Sequence, residues 1–433
     1  MIARLLAKAG LVTPEQRAWA WYDWANSAYF TTIVTAVFPS FFATYAAAGI
    51  EPAQATARFG AITTASVALI AVVSPILGAI ADFSGIRKRL LAVFMLIGVS
   101  SAAALVLVGQ GDWRLASLLF VVGNLGVSGS TVFYDSLLPH VARPDETDRV
   151  SSAGYAIGYF GGGLLLLINL AWILSPATFG FADTVAATKA SFVSVAVWWL
   201  VFSIPLMRTV PEPPIQLEAG EQRGASVLIA AFGRLGRTFR EIRKYRNAFT
   251  LFIAMLLYQD GIQTIIRMAS VFGAELGIDI NAQIAAFVMV QWLGIPFSFL
   301  FGGLGARIGT KRALFIALAV YTLTAIMGYF VRTVTHFFIL AGLVATVQGG
   351  SQALSRALFA RLIPARKASE FFGFYAVAER FATVLGPLVF TASVALTGSS
   401  RIAILFIITF FVAGAALLSL VDEEEGMRAA RES

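Results

Sequence analysis

The stretch Gly78-Ala-Ile-Ala-Asp82-Phe-Ser-Gly85-Ile-Arg87-Lys88-Arg89 returns in altered form as Gly302-Gly-Leu-Gly-Ala306-Arg-Ile-Gly309-Thr-Lys311-Arg312. The two copies start 224 residues apart (302 less 78) in a chain of 433. Each closes one apolar run and opens the next. That spacing predicts two similar halves, each crossing a membrane several times and related by an axis along the membrane normal.

Composition agrees with this. The chain is 58% hydrophobic and 13% charged, about half the charged share of an ordinary soluble domain. Apolar runs of about 20 residues, enough to cross the hydrocarbon core, recur throughout. The net charge of +8 does not point to nucleic acid, because the basic residues sit in short loops between spans. No cysteine is present, so there is no disulfide framework. The first apolar stretch carries Asp23 and Asn26 and reads as a membrane helix, not a signal peptide.

Twelve spans are expected, giving an all-α membrane protein of two six-helix bundles. The first half holds 19–46, 56–82, 90–109, 113–139, 151–174 and 188–208. The second holds 246–273, 282–306, 313–331, 336–360, 370–397 and 401–421. The units are thus residues 1–208, a linker 209–245, residues 246–421 and a tail 422–433. Of the 32 Lys and Arg, five (Arg58, Arg114, Lys189, Arg332, Arg401) fall on the outer side, at or beyond the span ends, and three lie inside spans. The other 24 share the side of the termini, so both ends are expected in the cytoplasm. In the linker, Leu228, Phe232, Leu235, Phe239 and Ile242 form an apolar stripe with Arg234, Arg237, Arg240, Arg243 and Lys244 largely off it. This is the pattern of a helix lying in the membrane interface, against a solvated basic linker as the plainer reading. The acidic Asp422-Glu-Glu-Glu425 reads as a solvated end.

Seven charges fall inside spans: Asp23, Asp135, Asp260, Arg267, Arg356, Glu379 and Arg380. Unpaired, they would together cost on the order of 20 kcal/mol on insertion scales. They must pair or line a wet cavity. Asp260, Gln263 and Arg267 share one helix side at spacings of three and four, as do Gln348, Gln352 and Arg356; Asp23, Asn26 and Ser27 begin a third stripe. These stripes suggest an aqueous path between the halves, against internal pairing that only holds helices together. Adjacent residues point about 100° apart, so at most one of Glu379 and Arg380 faces the cavity centre. Asp135 and Arg356 lie at similar depth on equivalent spans and are expected to pair across the cytoplasmic mouth. Glycines 154, 158, 161, 162 and 163 allow close helix approach, and Gly386-Pro387 bends its span.

There is no Gly-x-x-x-x-Gly-Lys-Ser/Thr loop for ATP and no Gly-x-Ser-x-Gly elbow. The two histidines, His140 and His336, lie at opposite faces. No enzyme activity, cofactor or metal is therefore expected.

The twelve spans and paired loop motifs resemble the major facilitator superfamily across nearly the whole chain. The resemblance implies that Gly78, Asp82, Gly85, Arg87 and Lys88 latch the cytoplasmic side. Ala306 stands where a second Asp would, so the latch is expected in the first half only. Finer stretches resemble the autophagy-related vacuolar amino-acid effluxers and their bacterial relatives. These are Trp21-Tyr-Asp23-Trp24-Ala-Asn26-Ser27, Tyr258-Gln-Asp260-Gly261-Ile-Gln263-Thr264, Gly349-Gly-Ser-Gln352-Ala-Leu-Ser355-Arg356 and Ser369-Glu370-Phe371-Phe372-Gly373-Phe374-Tyr375. That family has a small residue and lysine where this chain has Glu379-Arg380, a departure that bears on coupling or selectivity.

The expected function is secondary transport by alternating access in a bacterial inner membrane. The expected cargo is a small zwitterionic or anionic solute, amino acids first, moved outward with protons by a monomer in the bilayer. Arg267 or Arg380 is the candidate to bind a carboxylate, and Asp260 or Glu379 to carry the proton. Asp23, Asn26, Gln263 and Gln352 complete the candidate substrate or coupling set; Asp82, Arg87, Lys88, Asp135 and Arg356 form the gating set. A receptor or scaffold on the same fold, and a lipid translocator, stand as alternatives.

Overall fold

A computed structural model describes residues 10–214, 233, 245–275, 278, 280–381, 386, 389–390, 392–393, 396 and 400–432. These residues form helices and turns, with no strand among them. The first half contains α1 (Pro14–Ala46), α2 (Pro52–Ser84), α3 (Arg87–Leu107), α4 (Trp113–Val141), α5 (Thr147–Leu174) and α6 (Thr184–Thr209). The second contains α7 (Arg246–Glu275), α8 (Ile280–Ile308), α9 (Thr310–Tyr329), α10 (Val334–Leu362), α11 (Ala368–Phe381) and α12 (Arg401–Ser419). Among the described residues, eleven of these twelve are long and apolar enough to cross a membrane. The remaining one, α11, opens the expected span 370–397, which runs on through residues only partly described. The chain is a multi-pass membrane protein. The proposed interfacial helix of the linker falls almost wholly outside the described residues.

The ends of the spans follow capping chemistry, because the first amides of a helix have no partner within it. Thr13 and Gln16 form a reciprocal capping box at α1. Asp183 accepts from Ala186 N at α6, and Thr333 from His336 N at α10. Between spans, the motif glycines carry positive φ: Gly85 at 62° ends α2, and Gly309 at 91° precedes α9. A side chain there would be strained, so the repeated glycine fixes each tight turn. The outer part of α1 widens into π-helical turns over Tyr29–Val37 and Phe42–Ala46, on either side of Phe38-Pro39, where proline removes a backbone donor.

Packing repeats every six helices. The pairs α1–α5, α1–α6, α2–α4, α3–α4 and α3–α6 recur as α7–α11, α7–α12, α8–α10, α9–α10 and α9–α12. Between halves, α2 packs on α11 and α5 on α8. Exchanging the halves turns one of these contacts into the other. This is the pseudo-twofold arrangement the duplicated motif predicts.

The tail corrects one expectation. Instead of a solvated end, Glu423–Arg431 forms α13, capped by Asp422 through Glu425 N at 2.9 Å. Asn247 on α7 holds it, donating to Glu425 Oε2 at 3.1 Å and accepting from Asp422 N at 2.9 Å. The acids are the cap and anchor of a docked helix.

Candidate functional site

The start of α1, α13 and both motif loops lie at one end of the bundle, here called the basic face. The halves are joined there by three sets of side chains, and the first centres on Arg356 of α10. Arg356 is 2% exposed. Its Nη1 donates to Asp135 Oδ1 at 3.0 Å, and its Nη2 to Asp23 Oδ2 at 3.2 Å. Nε reaches Ser151 Oγ at 2.9 Å, and Nη2 also reaches Ser151 O at 3.0 Å. Asp23 Oδ2 accepts a further bond from Tyr134 OH at 2.7 Å. The guanidinium sits 4.4 Å from the Tyr155 ring centroid and 4.8 Å from that of Trp19, close enough for cation–π attraction. Trp19 is itself stacked on Tyr134 at 4.5 Å.

One arginine from the second half therefore binds two carboxylates, a serine and an aromatic cage from the first. Only a planar fork reaches so many acceptors at once; lysine would not. Gly154 lets α5 lie against the pair, since a Cβ there would fall 2.5 Å from Asp23 Oδ2. The structure thus brings Asp135 and Arg356 together, as their depth suggests. It places Asp23 in the same cluster at the closed mouth, not on a path further in.

The second set is the motif latch. Asp82 Oδ1 accepts from Ser369 N at 3.2 Å, and Oδ2 from Glu370 N at 2.9 Å. These are first-turn amides of α11, so one half caps a helix of the other. A carboxylate at a helix N-terminus also meets the positive end of its dipole. Arg87 holds Asp82 through Nε at 2.9 Å and donates Nη2 to Ala365 O (3.3 Å) and Arg366 O (3.1 Å). Lys88 works within its half: its amide meets Glu212 at 3.0 Å, and its Nζ reaches Met207 O at 3.1 Å and Val210 O. Lys311 repeats that arrangement with Glu423 (3.2 Å), Ser419 O (2.8 Å) and Val421 O (2.6 Å).

The third set lies at the second motif copy. Ala306 has no carboxylate, but Asp148 at the start of α5 supplies one from the opposite side. Asp148 Oδ2 accepts from Thr310 Oγ1 at 2.6 Å, and Oδ1 lies 3.3 Å from Arg361 Nη2. Arg361 also lies 3.8 Å from Glu423 of α13. The carboxylate at the second copy thus also comes from the first half, across the interface, which a comparison of the two motif copies could not reveal.

Towards mid-membrane a polar seam continues from Arg356 along α10 and α5. Tyr159 OH donates to Gln352 Oε1 at 3.4 Å, and Gln291 of α8 donates to Tyr159 O at 3.1 Å. Gln348 and Tyr155 are half-buried on the same faces. Sequence reading missed Ser151, Tyr134, Tyr155, Tyr159 and Gln291. A polar residue at helical spacing on α5 was the available signal, overshadowed by its glycines.

Asp260 is fully buried, and its Oδ1 accepts from Gly386 N at 2.8 Å, within the second half. Asn26 is buried, and Gln263 is half-buried on α7. The side chains of Arg267, Glu379 and Arg380 lie outside the described residues. A cavity of about 560 Å³ between α5 and α6 is walled by Leu165, Trp172, Val193, Trp198 and other apolar groups of one half, which suits lipid tails and not a polar solute.

The geometry defines two membrane bundles joined across one face by side chains of both halves. The chain is 38% identical over 414 residues to an uncharacterized MFS-type transporter, YxiO, of Bacillus subtilis, covering 95% of this chain and 96% of that one. It is 24% identical to autophagy-related protein 22 of Coccidioides immitis, covering 87% and 74%. The fold matches the solved structure of the proton:xylose symporter XylE of the major facilitator superfamily, with TM-score 0.69 at 16% identity over 96% and 97% of the two chains. The class is that of a major-facilitator-type transporter. Residues 13–431 match the family described as "Vacuole effluxer Atg22 like", and the chain belongs to that family.

Proposed function

We propose that this protein moves a small zwitterionic or anionic solute, amino acids first, out across a bacterial inner membrane by alternating access coupled to protons. The basic face, with its surplus of Lys and Arg, is the cytoplasmic one. The observation that carries the reading is the closure itself. Arg356, the Asp82 cap and the Asp148–Arg361 pair all join opposite halves at one face, so parting the halves breaks all three sets at once. The conformation described is then closed to the cytoplasm. Rocking the halves would expose the seam of Tyr155, Tyr159, Gln291, Gln348 and Gln352 to that side. The amides and hydroxyls of this seam suit a zwitterion's ammonium and carboxylate, with Arg267 or Arg380 as the cationic partner.

Asp260 is the proposed proton carrier, with Glu379 as the other candidate. Asp260 lies on α7, which packs on α11, the helix that meets α2 across the halves, so a proton arriving there would act on a moving element. Asp260→Asn keeps an oxygen for the Gly386 amide, so the packing survives while the titration is removed. In proteoliposomes, the wild type should move labelled amino acids faster when a pH gradient is imposed. The Asn variant should retain exchange but lose that acceleration. Flux of no amino acid would sink the cargo assignment, and an unchanged pH response would remove Asp260 as carrier.

A further inference from the structure

At the basic face, a cavity of about 310 Å³ lies where the two halves and the C-terminal helix meet. The first half contributes Pro139, Ala142, Pro144 and Thr147; the second contributes Arg361, Ile363, Pro364 and Arg366; α13 contributes Met427 and Arg431. Three guanidiniums therefore line one small space. Arg361 is held by Asp148 at 3.3 Å and Glu423 at 3.8 Å. Among the described residues, neither Arg366 nor Arg431 has an acidic partner within 4.0 Å. The Nε atoms of Arg361 and Arg366 are buried and have no hydrogen-bond acceptor there. A buried donor on a charged group without an acceptor is costly. Asp145 and Glu146, on the same loop as Pro144, are engaged with Arg143 at 3.6 and 2.8 Å.

We propose that this cavity binds a phosphate-bearing anion, which holds the basic face closed. Phosphate oxygens supply the acceptors that the Nε atoms of Arg361 and Arg366 lack, and arginine is suited to such charge-assisted bonds. The prolines, Ile363 and Met427 give an apolar wall for the rest of the ligand. Because the walls come from both halves and from α13, a ligand that fills the cavity binds the closed arrangement better than the parted one. It shifts the population by that difference in affinity. The chemistry is shared by a soluble phosphorylated metabolite and by an anionic lipid headgroup at the membrane surface. The binding half of this proposal stands without the transport assignment; the closing half rests on it.

The test uses the full chain and the double variant Arg366→Gln/Arg431→Gln, which breaks none of the ion pairs described. Inorganic pyrophosphate should raise the melting temperature of the wild type in neutral-lipid nanodiscs, since a ligand of the folded state stabilises it. The double variant should bind at least about tenfold more weakly, as expected for losing charge-assisted bonds. Nanodiscs containing phosphatidylglycerol form the second arm: stabilisation there alone assigns the site to lipid, and stabilisation by pyrophosphate assigns it to a soluble ligand. No shift in either arm, or a shift undiminished in the double variant, overturns the site. For closure, a single cysteine at Ser152, which is 1% exposed beside α8, should react more slowly with maleimide when the anion is bound. Binding without that protection would overturn the lock while leaving transport untouched.

Discussion

Arg356→Gln should reduce transport by about a hundredfold or more while leaving a folded protein. The side chain is buried, and its two carboxylate partners, Asp23 and Asp135, belong to the other half. Removing one member of a buried ion pair costs about 3–5 kcal/mol because a charge is left uncompensated. Here two carboxylates are left, with Tyr134 still donating to one of them. The cost falls on the closed arrangement, because parting the halves lets water reach both acids. About 3–5 kcal/mol corresponds to roughly a hundred- to several-thousandfold in population, so the closed face should become rare. A cysteine at Ser152 in this variant should label rapidly with maleimide, whereas wild type labels slowly. Combining Arg356→Gln with Asp23→Asn should recover part of the loss, as one stranded charge is gone. Exchanging the charges of positions 135 and 356 should not restore function, although a simple pair would predict rescue. The exchange places a carboxylate at 356 within reach of Asp23, and the third partner defeats it. Full rescue by the exchange would mean that Asp23 is not coupled to Arg356 during transport.

This three-way cluster shows how far the sequence reaches. Helix count, duplication and the meeting of Asp135 with Arg356 are legible because they depend on periodicity, motif spacing and depth. Those quantities are nearly one-dimensional. Which face of α1 turns toward α10 is not, so Asp23 is recognised as a costly buried charge while its partner goes unnamed. Asp148 goes unnoticed for a related reason. It sits at the very start of α5, where an acid is ordinary helix-end chemistry; only the approach of Thr310 and Arg361 makes it a latch. The tail misleads in the opposite way. Four acidic residues look solvated until Lys311 and Asn247 appear beside them. Fold follows from pattern along the chain, and the closure follows from contacts between segments hundreds of residues apart.

Gly78→Val should hold the basic face open, an effect that arises from sterics alone. A Cβ at this position would fall 2.1 Å from Ser369 O and 2.8 Å from Glu370 Cα. Both obstacles are backbone, so no rotamer change relieves them. α11 must instead move away from α2, and with it the Ser369 and Glu370 amides leave Asp82. Overpacking of a tight contact costs about 1–3 kcal/mol, and losing a helix cap adds about 0.5–2 kcal/mol. Together these favour the parted halves by roughly ten- to several-thousandfold relative to wild type. The counterpart Gly302 faces Ser152 Cβ at 2.6 Å, a side chain that can yield somewhat. Gly302→Val should therefore have the same sign and a smaller size. Gly303 has nothing within 4 Å of its Cβ position, which makes Gly303→Val the matched control. The absence of cysteine in the chain allows a single introduced thiol to report without background. A cysteine at Ser136, fully buried against Ser369 of the other half, should label fastest in Gly78→Val, more slowly in Gly302→Val and at the wild-type rate in Gly303→Val. Should Gly78→Val label and transport like wild type, α2 and α11 do not close against each other in the working cycle, and the Asp82 cap is not part of the gate.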